Sequence, residues 1–345
     1  MLGNFLSAHG RNRSLSEDLA DRLEARSYRV LRSSFRAGRL ARAVDRLWSV
    51  LRLIGQYDVA HVDLFSGSAF LWAEAACFAL SAVRKPYVVT LHGGALPAFA
   101  SGHRRRASRL LRRASAVIAP SQYMAHAMGS YCDGIVVLPN AINVSAYAFR
   151  PRSFAGPSVV WLRAYHQTYN PSLAVRVAGA LKGQGHSIKI RMFGPDAGDG
   201  SLADSQRLAS DLGLAEEIEF SGPIARAEVS GQLAQADIFL NTSRIDNTPV
   251  SVVEAMATGL CVVSTRVGGI PFLLEDGRDA LLVADDDAGA MAAAVRAVMA
   301  DPSLAARLSH NARLKARQFD WSAVLAQWEK VFTEAAGAVV HGRNA

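Results

Sequence analysis

The sequence is most restrictive in what it lacks. Among its 345 residues there is no run of about 18 apolar residues; the nearest candidate, residues 69–83, is interrupted by Glu74 and is too short to span a bilayer. The first residues show no basic start, apolar core and cleavage site, so we do not expect a secretory signal. Cys77, Cys132 and Cys261 are far apart and odd in number, which fits a reducing cytoplasm, and they lack metal-ligand spacing.

Acidic residues are scarce in the first part of the chain. Residues 1–150 contain 20 Lys and Arg against 9 Asp and Glu, a balance of +11, whereas the remainder contains 18 against 21, a balance of −3. No nucleic-acid-reading motif accompanies this excess. An anionic membrane surface or a phosphate-bearing acceptor fits the charge, and a plain solvated helix face is the alternative. Much of the excess lies in two helix-like segments, one with Arg36, Arg39, Arg42 and Arg46, the other Arg104–Arg113.

Short apolar segments alternate with longer segments of helical periodicity along the whole chain. This alternation predicts parallel sheets with crossover helices, and the length supports two domains. We predict two Rossmann-like doubly wound α/β domains, at residues 1–148 and 159–320, joined by a linker at 149–158. A C-terminal helix from Trp321 follows, within residues 321–345. The predicted strands are 58–64, 87–91, 116–119, 135–138, 159–162, 188–193, 218–220, 237–240, 261–265 and 280–283.

The most informative segment follows the predicted strand at 237–240. Thr248 and Pro249 form an N-cap and first-turn pair, and Gly259 is a typical stop, so we predict a helix over 249–258. A helix that begins just past a strand presents unpaired N–H groups to the crevice at the sheet edge. Such a helix start is suited to bind an anion, phosphate above all.

Two carboxylates bracket this predicted anion site. Asp246 lies in the loop before the helix, and Glu254 lies in its second turn on the same side. Carboxylates accept hydrogen bonds from hydroxyl groups, so the pair suits a nucleotide diphosphate whose ribose and sugar both need acceptors. Taken alone, a charge at a helix N-terminus and a surface Glu explain the pair at least as well.

The spacing of these two acids, followed by Ala-Met-Ala-x-Gly and then by Gly-Gly-Ile-Pro, resembles the nucleotide-sugar-dependent glycosyltransferases of family 4. The resemblance implies the GT-B fold, in which two Rossmann-like domains face a cleft and the last helix crosses back onto the first domain. It also implies retention of configuration. In this family the first acid contacts hydroxyls of the donor sugar and the second holds the ribose, and these roles fall to Asp246 and Glu254. Asp246 stands where Glu is more usual, which leaves the donor sugar open.

The same resemblance implies further site residues. Gly3 and Asn4, at the end of a first strand, match the loop that approaches the donor phosphates. Gly194 falls in a turn beside the donor. His92 follows the strand at 87–91 and is expected on the acceptor side of the reacting centre, where an imidazole can orient or accept a proton.

Charge neutralisation is where the sequence departs from the family pattern. Arg163 matches an arginine that neutralises the diphosphate, but the lysine expected about five residues later is absent, and His166 is the candidate substitute. The catalytic set predicted by the resemblance is His92, Arg163 and Asp246. The predicted donor-binding set consists of Gly3, Asn4, Arg163, His166, Gly194, Asp246, Asn247, Thr248, Val250, Ser251 and Glu254.

These observations predict a hexosyltransferase that uses a nucleotide diphosphate sugar and a lipid-linked or cell-envelope polysaccharide acceptor. Arg163 and the helix amides can hold the charge that develops on the leaving diphosphate, so we expect no metal and no cofactor. We expect a cytoplasmic protein, peripheral on the inner membrane face. Two alternatives stay open, an inactive nucleotide-sugar-binding subunit and a sugar-nucleotide epimerase. An NAD-dependent oxidoreductase is disfavoured because no Gly-x-Gly-x-x-Gly opens a helix after a strand.

Overall fold

The computed structural model describes residues 1–2, 14–33 and 48–341, with side chains as far as residue 337. The chain divides into two compact units. Unit 1 comprises residues 1–141 and 322–345, and unit 2 comprises residues 142–321. Each unit contains an all-parallel sheet with crossover helices, as the alternation of the sequence predicts.

The sheet of unit 1 has the strand order β1-β2-β3-β4. Leu2 bridges Ser33 and Val62, so it lies beside β1 on the side away from β2. The strands are β1 (Ala60–Leu64), β2 (Tyr87–Leu91), β3 (Ala116–Ala119) and β4 (Val136–Val137). The helices with described ends are α1 (Leu15–Ala25), α2 (Ser68–Ala82), α3 (Leu96–Gly102), α4 (Arg104–Leu111) and α5 (Gln122–Met128), and residues 48–52 are also helical.

The sheet of unit 2 has the order β10-β9-β8-β5-β6-β7. Its strands are β5 (Ser158–Leu162), β6 (Lys189–Phe193), β7 (Ile218–Ser221), β8 (Ile238–Asn241), β9 (Cys261–Thr265) and β10 (Ala280–Val283). Its helices are α6 (Pro171–Gly183), α7 (Ser201–Asp211), α8 (Arg226–Ala234), α9 (Val250–Thr258), α10 (Ile270–Leu273), α11 (Ala288–Ala300) and α12 (Pro302–Ala316). The strand order reverses between β5 and β8, and in open α/β sheets ligands bind outside the carboxyl ends of the strands at such a switch point.

Helix α9 begins one position later than the sequence predicted. Pro249, with φ −68° and ψ 119°, is the N-cap rather than the first helical residue, because its ψ is still extended. Its carbonyl accepts the first intrahelical bonds, from Val252 at 3.1 Å and Val253 at 3.3 Å. Thr248 therefore precedes the cap and does not supply it. Gly259 ends the helix with φ 82°, the left-handed conformation that favours glycine.

The boundary between the units falls before the predicted linker at 149–158. Arg150 pairs with Asp237 at 2.6 Å within unit 2. Arg152 is buried and donates to the carbonyl oxygens of Thr258 at 2.8 Å and Ala236 at 2.5 Å. The linker was predicted because this segment is rich in Arg, Pro, Gly and Ser. Backbone carbonyls of unit 2 instead accept hydrogen bonds from the two Nη atoms of Arg152, a pairing that composition cannot reveal.

The C-terminal helix, α13 (Trp321–His341), lies within the predicted segment 321–345 and belongs to unit 1 from Ser322 onward. Trp328 is buried, and its ring lies edge-on to His61 of β1 at a centroid distance of 5.5 Å. Phe332 makes a similar contact at 6.0 Å. The last helix therefore packs on the first sheet. No helix in the described part of the chain is both long and apolar enough to cross a membrane.

Candidate active site

Arg163 and Asp246 lie at the switch point of unit 2, after β5 and β8 respectively, and form an ion pair. The guanidinium carbon lies 4.3 Å from the centre of the Tyr169 ring, a cation–π contact. Burial lowers the pKa of Arg163, and Tyr169 and Glu254 oppose that shift. The Nε atom of Arg163 is buried and has no hydrogen-bond partner among the described residues. A buried donor without an acceptor is costly, so this atom marks a place where an anionic ligand would be stabilised.

Glycines let the chain approach both members of this pair. The N–H of Gly269 donates to the carbonyl oxygen of Asp246 at 2.8 Å. A Cβ added at Gly269 would lie 2.0 Å from the carbonyl oxygen of Asn247. A Cβ added at Gly268 would lie 2.2 Å from the carbonyl oxygen of Asp246. A Cβ added at Gly194 would lie 1.7 Å from the carbonyl oxygen of Arg163. The Gly-Gly turn and Gly194 therefore set the backbone positions of the paired residues.

Glu254 is buried in the second turn of α9, with 8% of its surface exposed. Its Oε1 accepts a hydrogen bond of 2.6 Å from the hydroxyl of Tyr147. Burial raises the pKa of Glu254, while Tyr147, Arg226 and Arg163 act in the opposite direction. Burial and the neighbouring carboxylate raise the pKa of Tyr147, so it stays a donor. Tyr147 thus fixes one oxygen of Glu254. This contact was not predictable from the sequence because the two residues are far apart along the chain.

The start of α9 carries the other predicted donor-binding residues. Ser251 is buried, and its Oγ has no hydrogen-bond partner among the described residues. Val250 and Ser251 occupy the first turn, where amides lack an intrahelical acceptor. Thr248 is buried just before the cap. The N–H of Asn247 donates to Oδ1 of Asp246 at 2.9 Å and thereby orients that carboxylate.

Among the described residues, no hydrogen bond or ion pair joins His166 to Arg163. Its Nδ1 accepts the N–H of Thr168 at 3.1 Å, and its Nε2 lies 3.7 Å from Oδ2 of Asp199. The His166 ring meets Tyr169 edge-on at 6.2 Å, so Tyr169 lies beside both Arg163 and His166. That His166 replaces the absent lysine stays a prediction.

A buried polar network lies at the carboxyl ends of β1 and β2 in unit 1. Nε2 of His92 lies 2.9 Å from Oδ1 of Asp63, and the hydroxyl of Ser16 donates to Oδ2 at 2.6 Å. The His92 ring stacks on Phe65 at 4.7 Å. Although burial alone would raise it, His92, together with His61 and Ser16, holds the pKa of Asp63 below its usual range. Asp63 is thus a carboxylate that orients His92, and the sequence analysis missed it.

His61 supports this network from inside the sheet. Its Nε2 lies 2.7 Å from Oγ1 of Thr90 and 3.9 Å from Asp63. Burial lowers the pKa of His61 to about 4, against the attraction of Asp63. His61 is therefore neutral near pH 7 and acts as a structural neighbour of Asp63.

Some predictions fall outside the described residues, namely Gly3 and Asn4 and the arginines Arg36, Arg39, Arg42 and Arg46. Within the described ranges, no group of three or more His, Cys, Asp or Glu side chains is arranged to hold a metal ion. Independence from metal stays a prediction.

Two family models match the chain, one on each side of residue 150. Residues 5–146 match the model described as Glycosyltransferase Family 4. Residues 156–301 match the model described as Glycosyl transferases group 1.

Curated relatives extend the match. The D-inositol 3-phosphate glycosyltransferase of Streptomyces avermitilis is 28% identical over 151 residues, which are 43% of this chain and 32% of that protein. The phosphatidyl-myo-inositol mannosyltransferase of Mycolicibacterium smegmatis is 26% identical over 297 residues, 82% of this chain and 73% of that protein. The matches to the inositol phosphate glycosyltransferases of S. avermitilis and Corynebacterium glutamicum span 32% and 45% of those proteins, less than half of their length.

Among solved structures, HepE of Anabaena in complex with UDP superposes with a TM-score of 0.73 at 20% identity, covering 83% of this chain and 81% of HepE. The likeness establishes the architecture, and the predicted fold class is confirmed. The chain belongs to the glycosyltransferases of family 4 and has the GT-B fold.

Proposed function

We propose that the chain transfers a hexosyl group from a nucleotide diphosphate sugar to an acceptor hydroxyl, with retention of configuration. One observation in unit 2 carries the proposal: two buried polar atoms that have no hydrogen-bond partner among the described residues belong to the same site as the carboxylates. Arg163 Nε and Ser251 Oγ have no described partner, and Arg163 is paired with Asp246. An arginine, a helix start and two hydroxyl-binding carboxylates are the groups that a nucleotide diphosphate sugar requires.

Each group has a defined part in the proposed reaction. When the bond between the anomeric carbon and the diphosphate breaks, negative charge develops on the leaving oxygen, and Arg163 with the amides of α9 stabilises it. Asp246 accepts from hydroxyls of the donor sugar, and Glu254 accepts from the ribose. The oxygen of the acceptor hydroxyl forms the new bond to the anomeric carbon and gives up its proton, and His92, oriented by Asp63, would orient that hydroxyl or accept the proton.

The relatives support the substrate classes. The HepE structures contain UDP and UDP-glucose, which supports a nucleotide sugar donor. The names of the relatives include D-inositol 3-phosphate and phosphatidyl-myo-inositol. We therefore propose a lipid-linked or cell-envelope acceptor. We further propose that the enzyme works in the cytoplasm, peripheral on the membrane, in keeping with its free, buried cysteines.

The first test is a thermal-shift screen of UDP-, GDP- and ADP-sugars with the full chain. A true donor at a hundred times its dissociation constant should add about 2.7 kcal/mol of stability. Arg163→Gln should remove that gain. Arg207→Gln should retain it, because Arg207 is an exposed residue of α7 paired with Asp204.

Product analysis then separates the candidate functions. Release of nucleoside diphosphate together with a sugar of retained configuration on an acceptor supports the transferase. A bound donor that is neither transferred nor hydrolysed would identify an inactive binding subunit. A donor whose sugar changes configuration without an acceptor would identify an epimerase. If none of the nucleotide sugars stabilises the protein, the proposal for unit 2 is wrong.

A further inference from the structure

A surface groove of unit 1 lies between helices α2 and α4 and has no part in the proposed chemistry. Leu71 and Phe78 line it from α2. Arg109 lines it from α4, and Arg113 lines it from two residues after the end of that helix. Residues seven positions apart on a helix lie on the same face, so the two apolar side chains form one wall. Lining residues that connect the walls include Ala75, Cys77, Tyr87 and Leu110.

The apolar wall is unusually open to solvent. Phe78 is 68% exposed and Leu71 is 48% exposed. Single exposed apolar residues are ordinary on protein surfaces, but two on one helix face that line the same groove are typical of an interaction site. The groove continues past Phe78 to Arg84 and Lys85, so its far end is also basic.

The opposite wall carries positive charge, and no acidic side chain of the described residues is paired with Arg109 or Arg113 there. Residues 68–113 contain eight Lys and Arg but one acid, Glu74. Glu74 is already bound by Arg106, whose Nε donates to Oε1 at 3.0 Å. Arg109 and Arg113 are exposed, and neither forms an ion pair with a described residue. The groove thus offers free guanidinium groups on one side and exposed apolar groups on the other.

We propose that this groove is the face by which the protein docks on an anionic phospholipid bilayer. Arg109 and Arg113 would bind lipid phosphates, while Phe78 and Leu71 enter the boundary between head groups and acyl chains. The positive charge alone would also suit a nucleic acid. Sites for single-stranded nucleic acid stack successive bases on a row of aromatic side chains, whereas this groove has an apolar wall of Leu71 and Phe78, which favours the bilayer. The proposal rests on the proposed function in one respect only: a lipid-linked acceptor would lie in the membrane on which the protein docks. Vesicle binding tests it without any turnover.

The experiment is sedimentation of the full chain with vesicles made of equal parts phosphatidylglycerol and phosphatidylcholine. Binding should fall as salt rises, because a Debye length of about 10 Å at 0.1 M screens the contact. Arg109→Gln and Arg113→Gln should each weaken binding about fivefold. Phe78→Glu should weaken it at least as much. Phe78→Trp should retain binding and show fluorescence quenching by brominated lipid.

Matched controls come from unit 2. Phe154 is 62% exposed and Arg278 is a surface residue, so Phe154→Glu and Arg278→Gln should bind vesicles like the wild type. Thermal stabilisation by the nucleotide sugar must be intact in every variant, which separates loss of docking from loss of folding or of donor binding. Equal binding to pure phosphatidylcholine would overturn the proposal. Vesicle binding that is unaffected by Phe78→Glu would overturn it too, as would a Phe78→Glu variant that dissociates a dimer while vesicle binding persists. Binding of RNA in preference to these vesicles would also overturn it.

Discussion

Nε2 of His92 is held 2.9 Å from a carboxylate oxygen of Asp63, whose second oxygen is taken by the Ser16 hydroxyl. Because Asp63 is anchored on both oxygens, it fixes the orientation of the His92 ring. Asp63→Asn keeps the size of the side chain but replaces a charge-assisted bond of about 1.5–3 kcal/mol. We expect transfer to slow roughly ten- to a hundredfold, with the dissociation constant of the nucleotide sugar unchanged.

A double-mutant cycle tests whether Asp63 acts through His92. His92→Ala should also cut turnover and leave donor affinity nearly intact. If Asp63 only orients the ring, Asp63→Asn combined with His92→Ala should be no slower than His92→Ala alone. Additive losses would show that Asp63 has a separate role, and wild-type rates for His92→Ala would end its catalytic assignment.

Glu254→Gln should separate stability from function. The amide keeps an acceptor for the Tyr147 hydroxyl but removes a charged acceptor for the ribose, so donor binding should weaken by roughly 1.5–3 kcal/mol. Burial raises the pKa of Glu254, which means that the ionised carboxylate destabilises the fold at pH values above that pKa. The variant should therefore melt at an equal or higher temperature than the wild type at neutral pH. This advantage should shrink as pH falls through the raised pKa.

Calorimetry with the nucleotide sugar measures the change in donor binding, and thermal melts without it measure the change in stability. A surface glutamate would change donor binding by less than about 0.5 kcal/mol, and that outcome would contradict the ribose assignment. Tyr147→Phe is the matched partner. It should weaken donor binding by about 1 kcal/mol because Glu254 loses its orienting donor.

Gly269→Ala should disable the donor site through the backbone. Gly269 has an ordinary φ of −83°, so no conformational strain is introduced. The added Cβ would lie 2.0 Å from the carbonyl oxygen of Asn247, so the loop with Asp246 must move. A shift of about 1 Å in a positioning group lowers turnover roughly a hundredfold.

The control is Gly231→Ala in α8, where a Cβ meets nothing within 4 Å. It should leave activity unchanged and raise helix stability slightly. Normal kinetics in Gly269→Ala would mean that the loop around Asp246 tolerates displacement and does not place the donor.

The sequence predicted the strands and helix α9 because these depend on local signals. Apolar runs, a Pro near the helix start and Gly259 at its end suffice for α9, and the error at Pro249 was a single position. Pairings between distant residues were not predictable. Tyr147 with Glu254 and Asp63 with His92 each need tertiary structure, since neither pair has a characteristic spacing. The predicted linker failed for the same reason, because the buried Arg152 finds its acceptors far along the chain.

His61 should make unit 1 sensitive to acid. Its pKa is lowered to about 4 by burial, whereas an unfolded histidine binds a proton near pH 6.5. Between these values the unfolded state holds more protons, so the free energy of unfolding falls as pH falls, by about 2 kcal/mol at pH 5. The lowered pKa of Asp63 adds losses only below its unfolded value near 3.9, outside this window. Urea unfolding followed by tryptophan fluorescence at about pH 7 and pH 5 measures the change, with Trp328 beside His61 as a reporter.

Two variants decide whether His61 is responsible. His61→Gln should flatten the pH dependence, even if it lowers stability at both pH values, because the titrating group is gone. His310→Gln, at an exposed position of α12, should keep the wild-type slope. If His61→Gln and the wild type lose the same stability between pH 7 and pH 5, His61 is not buried in a neutral form. Asp63 would then face a charged His61 at 3.9 Å as well as His92 at 2.9 Å.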